Sequence, residues 1–164
     1  RCAATRIRMS SRHTGRLCAA KEDIFVTILL ICSKHFYNRI PEVQKALQAA
    51  GHTVLLPNCY DAPDTEARMA AEGEEAHRAF KVAMFRRSAE TIAGVDAVLV
   101  LNYDKETESG LLPRYIGGAT FLEMYDAFRL GKRIYLLYPP PDGILADEIR
   151  GFGPRVLRGD MTAI

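Results

Sequence analysis

Several features that define protein classes are scarce or missing in this sequence. It has no tryptophan and only four cysteines, with neither a Cys-x-x-Cys pair nor a Cys/His cluster, which argues against a zinc site or a disulfide framework. No apolar run approaches the roughly 20 residues that span a bilayer. We therefore expect a cytoplasmic protein that works without a metal, another cofactor or a membrane.

Acidic residues are absent from the first 21 positions, which hold six of the 22 basic residues. The rest of the chain has 16 basic and 20 acidic residues, so its composition gives no argument for nucleic-acid binding. Residues 1–23 lack apolar periodicity and are predicted to be a disordered basic leader. Their Arg- and Ser-rich, acid-poor composition also fits an organelle transit peptide. Residues 24–164 are long enough for a single globular domain.

Short apolar runs alternate with helical patterns through the rest of the chain. The helices are predicted at Glu42–Ala50, at Thr65–Ala93 with a break at Gly73, and from Phe121 onward. The pattern predicts an α/β fold with a doubly wound, flavodoxin- or Rossmann-like parallel sheet of four to five strands, whose first run is the central strand. The runs are Ile24–Ile31, Thr53–Leu56, Val95–Leu101, Arg133–Leu137 and the edge strand Arg155–Leu157.

Ligands of such sheets bind where the carboxyl ends of neighbouring strands meet. The loops after the first and third strands, together with the glycine-containing stretch after Pro113, are predicted to converge there. Residues 32–38 are predicted to be a polar loop, and residues 105–114 a flexible flap. No Gly-x-Gly-x-x-Gly occurs, so an intact dinucleotide fingerprint is lacking. The predicted pocket consists of Ser33, Lys34, Phe36, Asn102, Asp104, Gly117, Gly118, Thr120 and Glu123.

The stretch from Gly117 to Glu123 carries the chemical hypothesis. The two glycines favour a tight turn, and Thr120 is a suitable cap for the helix that follows, whose first N–H groups favour a phosphate or a sugar hydroxyl. Glu123, one turn further on, is placed to attack an electron-poor sugar carbon, and Asp104 to give a proton to the leaving base. Two simpler interpretations remain open: Thr120-x-x-Glu123 has the spacing of a capping box, and Asp104 is an ordinary loop acid.

The stretch Tyr115–Leu137, with Gly-Gly-Ala-Thr-x-x-Glu, resembles the nucleoside 2-deoxyribosyltransferase-like superfamily, which includes deoxynucleoside monophosphate N-glycosidases. The Cys32-Ser33 loop, the Gly51–Pro57 turn and the run Asp96–Leu101 are similar as well. The resemblance implies a nucleophilic Glu123 that cleaves or transfers at the N-glycosidic bond of a nucleoside or its monophosphate. It implies ligand contacts at Ser33, Asn102, Gly117, Gly118 and Thr120, and a homodimer or larger homo-oligomer.

Two alternatives come from the same residues. The motif is also similar to Pro-Gly-Gly-x-Gly-Thr-x-x-Glu of the cytokinin-activating phosphoribohydrolases, although this chain has no proline before the glycines. The transferases usually carry an acidic residue ahead of the glutamate, and Gly117-Gly118-Ala119 lacks it, which permits a nucleotide sensor without catalysis. A scaffold protein that binds no small molecule is the third interpretation.

Overall fold

The computed structural model describes residues 25–164, and the predicted leader, residues 1–23, lies outside the described residues. The described residues form seven strands and five α-helices. The strands are β1 Thr27–Ile31, β2 Thr53–Leu55, β3 Ala97–Val100, β4 Lys105–Thr107, β5 Gly110–Leu112, β6 Arg133–Leu136 and β7 Arg155–Val156. The helices are α1 Ile40–Ala49, α2 Thr65–Glu72, α3 Glu74–Ala93, α4 Gly118–Arg129 and α5 Ala146–Gly151.

Five strands form one parallel sheet in the order β2-β1-β3-β6-β7. The predicted α/β class, doubly wound parallel sheet and strand number are confirmed. The prediction that the first strand is central is wrong, because β3 holds the middle position. The chain places β2 on one side of β1 and all later sheet strands on the other, so the order reverses between β1 and β3. In open α/β sheets this reversal creates the crevice that binds ligands.

The sheet is covered on both faces, as the uninterrupted apolar strands require. In β1, Ile28 and Leu30 point to the layer that contains α1, where they meet Ile40, Val43 and Leu47. Leu29 and Ile31 point to the opposite layer, which contains α3, α4 and α5 and is filled by Ile92, Met124 and Ile149. Every one of these side chains is at most 3% exposed. The core thereby fixes α4 against β3 and β6.

Two segments are more regular than the sequence predicts. The expected polar loop after β1 is a 3₁₀-helix, Lys34–Arg39, whose buried residue Phe36 anchors it to the core. The expected flap is an antiparallel hairpin of β4 and β5. Thr107 closes its turn by donating to the Gly110 carbonyl at 2.7 Å, and Asp104 fixes its base by accepting from the Arg114 N–H at 2.8 Å. Local side-chain hydrogen bonds of this kind leave little hydrophobic signal in a sequence.

The predicted break at Gly73 is confirmed, with α2 ending and α3 beginning on either side of it. Its φ of 124° and ψ of 171° belong to a backbone region used almost only by glycine. Helix α2 has no buried residue and lies against α3. Glu66 joins the two helices by accepting from Lys81 at 3.2 Å. None of the helices within residues 25–164 has the length and apolar content needed to cross a membrane.

Candidate active site

A cavity of about 310 Å³ opens at the carboxyl edge of the sheet, between the segment after β1, helix α3 and the start of α4. This volume lies in the usual range of small-molecule sites, roughly 300–1,000 Å³. We call it the glutamate cavity, because Glu123 lines it. Six of the nine residues predicted from the sequence line this cavity, namely Ser33, Lys34, Gly117, Gly118, Thr120 and Glu123.

The start of α4 differs from the prediction in a way that decides between two interpretations of Glu123. Gly117 is the N-cap, and the first backbone bond of the helix runs from the Phe121 N–H to the Gly117 carbonyl at 2.9 Å. Thr120 therefore lies inside the first turn and does not cap the helix. A capping box between Thr120 and Glu123 cannot form at these positions. The prediction was wrong by one turn because the glycines obscure where the helix begins.

The two glycines provide space and free donors rather than a tight turn. Gly117 is extended, with φ −81°, and Gly118 is helical, so neither uses the left-handed region. A Cβ on Gly118 would meet no heavy atom within 4 Å, which leaves open volume in front of the helix. The N–H groups of Gly118, Ala119 and Thr120 precede the first helical hydrogen bond, and these three residues line the cavity. This arrangement favours an anion or a hydroxyl group.

A short hydrogen-bond chain holds Glu123. The Ser88 hydroxyl donates to Oε1 of Glu123 at 2.8 Å, and the Asn58 amide donates to the Ser88 hydroxyl at 2.8 Å. Within residues 25–164, Oε2 has no hydrogen-bond partner. Sequence reasoning missed Ser88 and Asn58, although Asn58 follows β2 and Ser88 lies one turn before the buried Ile92 on α3. One carboxylate oxygen is thereby oriented while the other is available.

The environment of Glu123 disfavours the ionised form of its carboxyl group. Burial raises the pKa of Glu123 from 4.5 to about 7, the nearby Asp126 carboxylate adds to the rise, and the Ser88 hydrogen bond and Lys81 oppose it. A carboxyl group with such a pKa exists in both protonation states near neutral pH. Strongly shifted carboxyl groups in cavities are common at catalytic sites.

Three predicted site residues lie elsewhere. Asn102 is fully buried and does not line the cavity, because its amide donates to the carbonyls of Tyr138 and Pro139, and its oxygen accepts from the Tyr138 N–H. It joins the ends of β3 and β6. Phe36 and Asp104 line a different, neighbouring cavity. The structure therefore divides the predicted residues between two cavities, with Asn102 lining neither, and Asp104 lines the cavity that Glu123 does not line.

The neighbouring cavity has a volume of about 850 Å³ and lies beyond the ends of β1, β3 and β6. We call it the aromatic cavity, because Phe36, Tyr103 and Tyr138 line it with edge-to-face rings whose centroids are 5.6 and 5.7 Å apart. His35 and Lys105 line both cavities. The two cavities therefore adjoin each other at these residues.

Cys32 also lines the glutamate cavity, and burial affects its thiol. Burial, reinforced by the Glu123 carboxylate, raises the pKa of Cys32 to about 12, so this thiol stays protonated and is a poor nucleophile. Among residues 25–164, no three side chains of His, Cys, Asp or Glu are grouped to hold a metal ion.

No protein-family model matches the chain, and no curated protein matches it by sequence.

Proposed function

We propose that the protein breaks the N-glycosidic bond of a nucleoside or nucleoside 5′-monophosphate, with Glu123 as the nucleophile. The observation that supports this most is the orientation of Glu123, which has one oxygen held by Ser88 and the other available in a cavity that also presents the start of α4. The proposal agrees with the resemblance of Gly117-Gly118-Ala119-Thr120-x-x-Glu123 to the nucleoside 2-deoxyribosyltransferase-like superfamily.

The reaction has two displacements at the sugar. Oε2 of Glu123 forms a bond to C1′ while the bond from C1′ to the base nitrogen breaks, and the base leaves with the electron pair and takes up a proton from water. Water then attacks C1′, releases the sugar and restores the carboxylate; when a second base attacks instead, the result is transfer. The proton taken up by the base is balanced by the one that the attacking water releases.

The surrounding residues suit this substrate. Phe80, Met84 and Phe85 give the glutamate cavity an apolar wall on α3, which is suited to the face of a base. Ser33, Lys34 and the residues at the start of α4 line the same cavity and suit the sugar hydroxyls or a 5′-phosphate. Glu123 also lines this cavity, and the proposal assigns the sugar of the ligand to it.

The test is release of free base. The protein is incubated with deoxynucleosides, ribonucleosides and their monophosphates, and the products are separated by chromatography. We expect one of these classes to release base, and Glu123→Gln to lower the rate by at least about a thousandfold, because the amide oxygen is a far weaker nucleophile. Glu90→Gln is the matched control, since Glu90 is an exposed glutamate on α3 outside the cavity, and it should keep the full rate.

The remaining outcomes separate the alternatives. Base release that Glu123→Gln does not slow would overturn the proposal. Tight binding of a nucleotide by calorimetry, without any turnover, would replace it with the sensor function. Release of base from ribonucleoside monophosphates alone would favour the phosphoribohydrolase type. No binding and no release would leave a scaffold protein.

A further inference from the structure

The aromatic cavity is not used by the proposed reaction, and its lining has a definite chemical character. Tyr103 and Tyr138 are partly exposed and form its aromatic side. The guanidinium of Arg39 lies 4.9 Å from the centroid of the Tyr103 ring, so a cation and a ring face are presented together. This combination suits a planar ring that carries or adjoins negative charge.

One lysine lies at the junction between the two cavities. Lys105 lines both cavities, and Lys34 lines the glutamate cavity beside it. His35 also lines both cavities, and burial lowers its pKa, with smaller contributions from the charges of Lys105 and Lys34. Gly118, Ala119 and Thr120, whose N–H groups precede the first helical hydrogen bond, also line the glutamate cavity. An anion at this junction would lie beside Lys105, with Lys34 and the start of α4 in the lining of the glutamate cavity.

Two cavities with aromatic side chains in their linings therefore meet at His35 and Lys105. We propose that the full ligand is a dinucleotide, two nucleosides joined 5′ to 5′ by a diphosphate, with its second base in the aromatic cavity. This rests on the proposed function only in assigning the reacting sugar to Glu123. The chain lacks the Gly-x-Gly-x-x-Gly loop, and the groups that favour the diphosphate are instead lysines and the start of α4.

The experiment is titration calorimetry on the full chain carrying Glu123→Gln, so that turnover does not consume the ligand. Three probes are compared for each of four bases: the nucleoside 5′-monophosphate, the 5′-diphosphate and the symmetric 5′–5′ diphosphate dinucleotide. We expect the dinucleotide to bind at least about tenfold more tightly than either mononucleotide, because only it fills the aromatic cavity. Arg39→Gln should bring this ratio close to one. Arg87→Gln, an exposed arginine on α3, is the matched control and should leave the ratio unchanged.

The outcomes distinguish this inference from the proposed function. Equal affinity for all three probes overturns the dinucleotide and leaves the reaction at Glu123 untouched. A diphosphate that binds as tightly as the dinucleotide also overturns it, because the second base then adds nothing. No binding of any probe overturns the inference, and absence of base release in the chromatographic test would separately overturn the proposed function.

Discussion

At the scale of single residues, the proposed reaction depends on the carboxyl group of Glu123. Burial disfavours its charged form, while Ser88 and Lys81 support that form. The nucleophile must be ionised, so the proposed reaction should accelerate as the pH rises through about 7. A carboxyl group that acted as an acid would show the opposite trend. The direction of the pH profile therefore reports the role of Glu123.

The raised pKa of Glu123 also predicts how stability depends on pH. Between pH 4.5 and about 7 the folded protein binds this proton more tightly than the unfolded chain, so the free energy of unfolding falls as the pH rises. The free energy of unfolding falls by as much as about 3 kcal/mol over this range. Glu123→Gln removes the ionisable group, so we expect the variant to be more stable than the wild type at pH 8 and equal to it at pH 4. Denaturant unfolding at both pH values measures this. A stability difference independent of pH would contradict the assigned cause.

Ser88 is predicted to be a positioning residue that also tunes Glu123. Ser88→Ala removes the hydrogen bond that favours the carboxylate, so the pKa of Glu123 should rise by about one unit further. Carbon NMR titration of the side-chain carboxyl groups measures this shift without requiring turnover. Ser109→Ala, in the hairpin turn, should leave the pKa unchanged. An unchanged pKa in Ser88→Ala would show that the Ser88 contact does not support the charge.

At the scale of elements, the apolar runs and their spacing were enough to predict the sheet and its helices. Burial on both faces leaves a strong pattern in Ile28–Ile31 and Ala97–Val100. The hairpin and the 3₁₀-helix were missed because they depend on local bonds such as that of Asp104 to the Arg114 N–H. The predicted start of α4 was one turn too late, because Gly117 and Gly118 have no side chains that mark where the helix begins.

The junction between α2 and α3 allows a test at this scale. Gly73 has φ 124°, and a Cβ there would meet no heavy atom within 4 Å, so Gly73→Ala changes only the backbone energy. We expect it to destabilise the fold by about 1–3 kcal/mol, measured by denaturant unfolding. Gly151→Ala is the matched control, because Gly151 ends α5 without positive φ and also has open space. Equal effects of the two changes would contradict the strained geometry at Gly73.

At the scale of the whole molecule, the order β2-β1-β3-β6-β7 decides where chemistry can occur. The sequence predicted that the loops after β1 and β3 would converge, and the strand order reverses between these two strands. Six of the nine predicted site residues line one cavity there. Asn102 was misassigned because a buried amide after a strand looks the same in a sequence whether it faces a ligand or two carbonyls. The division of the crevice into two cavities depends on how the 3₁₀-helix and the hairpin pack, which spacing does not encode.

Ligand binding should stabilise the whole fold. A ligand held only by the folded state at 100 times its dissociation constant adds about 2.7 kcal/mol to the free energy of unfolding. We expect the preferred nucleotide to raise the thermal midpoint of Glu123→Gln by several degrees, with the rise increasing with ligand concentration. Scanning calorimetry measures it. A midpoint that stays constant up to millimolar ligand would contradict a nucleotide site in this crevice.

The proposed reaction requires a covalent bond between Glu123 and a sugar, which mass spectrometry of a rapidly quenched reaction at stoichiometric enzyme can detect. Trypsin cleavage after Arg114 and Arg129 releases one peptide in which Glu123 and Asp126 are the only acidic side chains. The account predicts a glycosyl group on this peptide, placed on Glu123 by fragmentation. A glycosyl group on Asp126 or on another peptide, or base release with no modified peptide at any quench time, would contradict it.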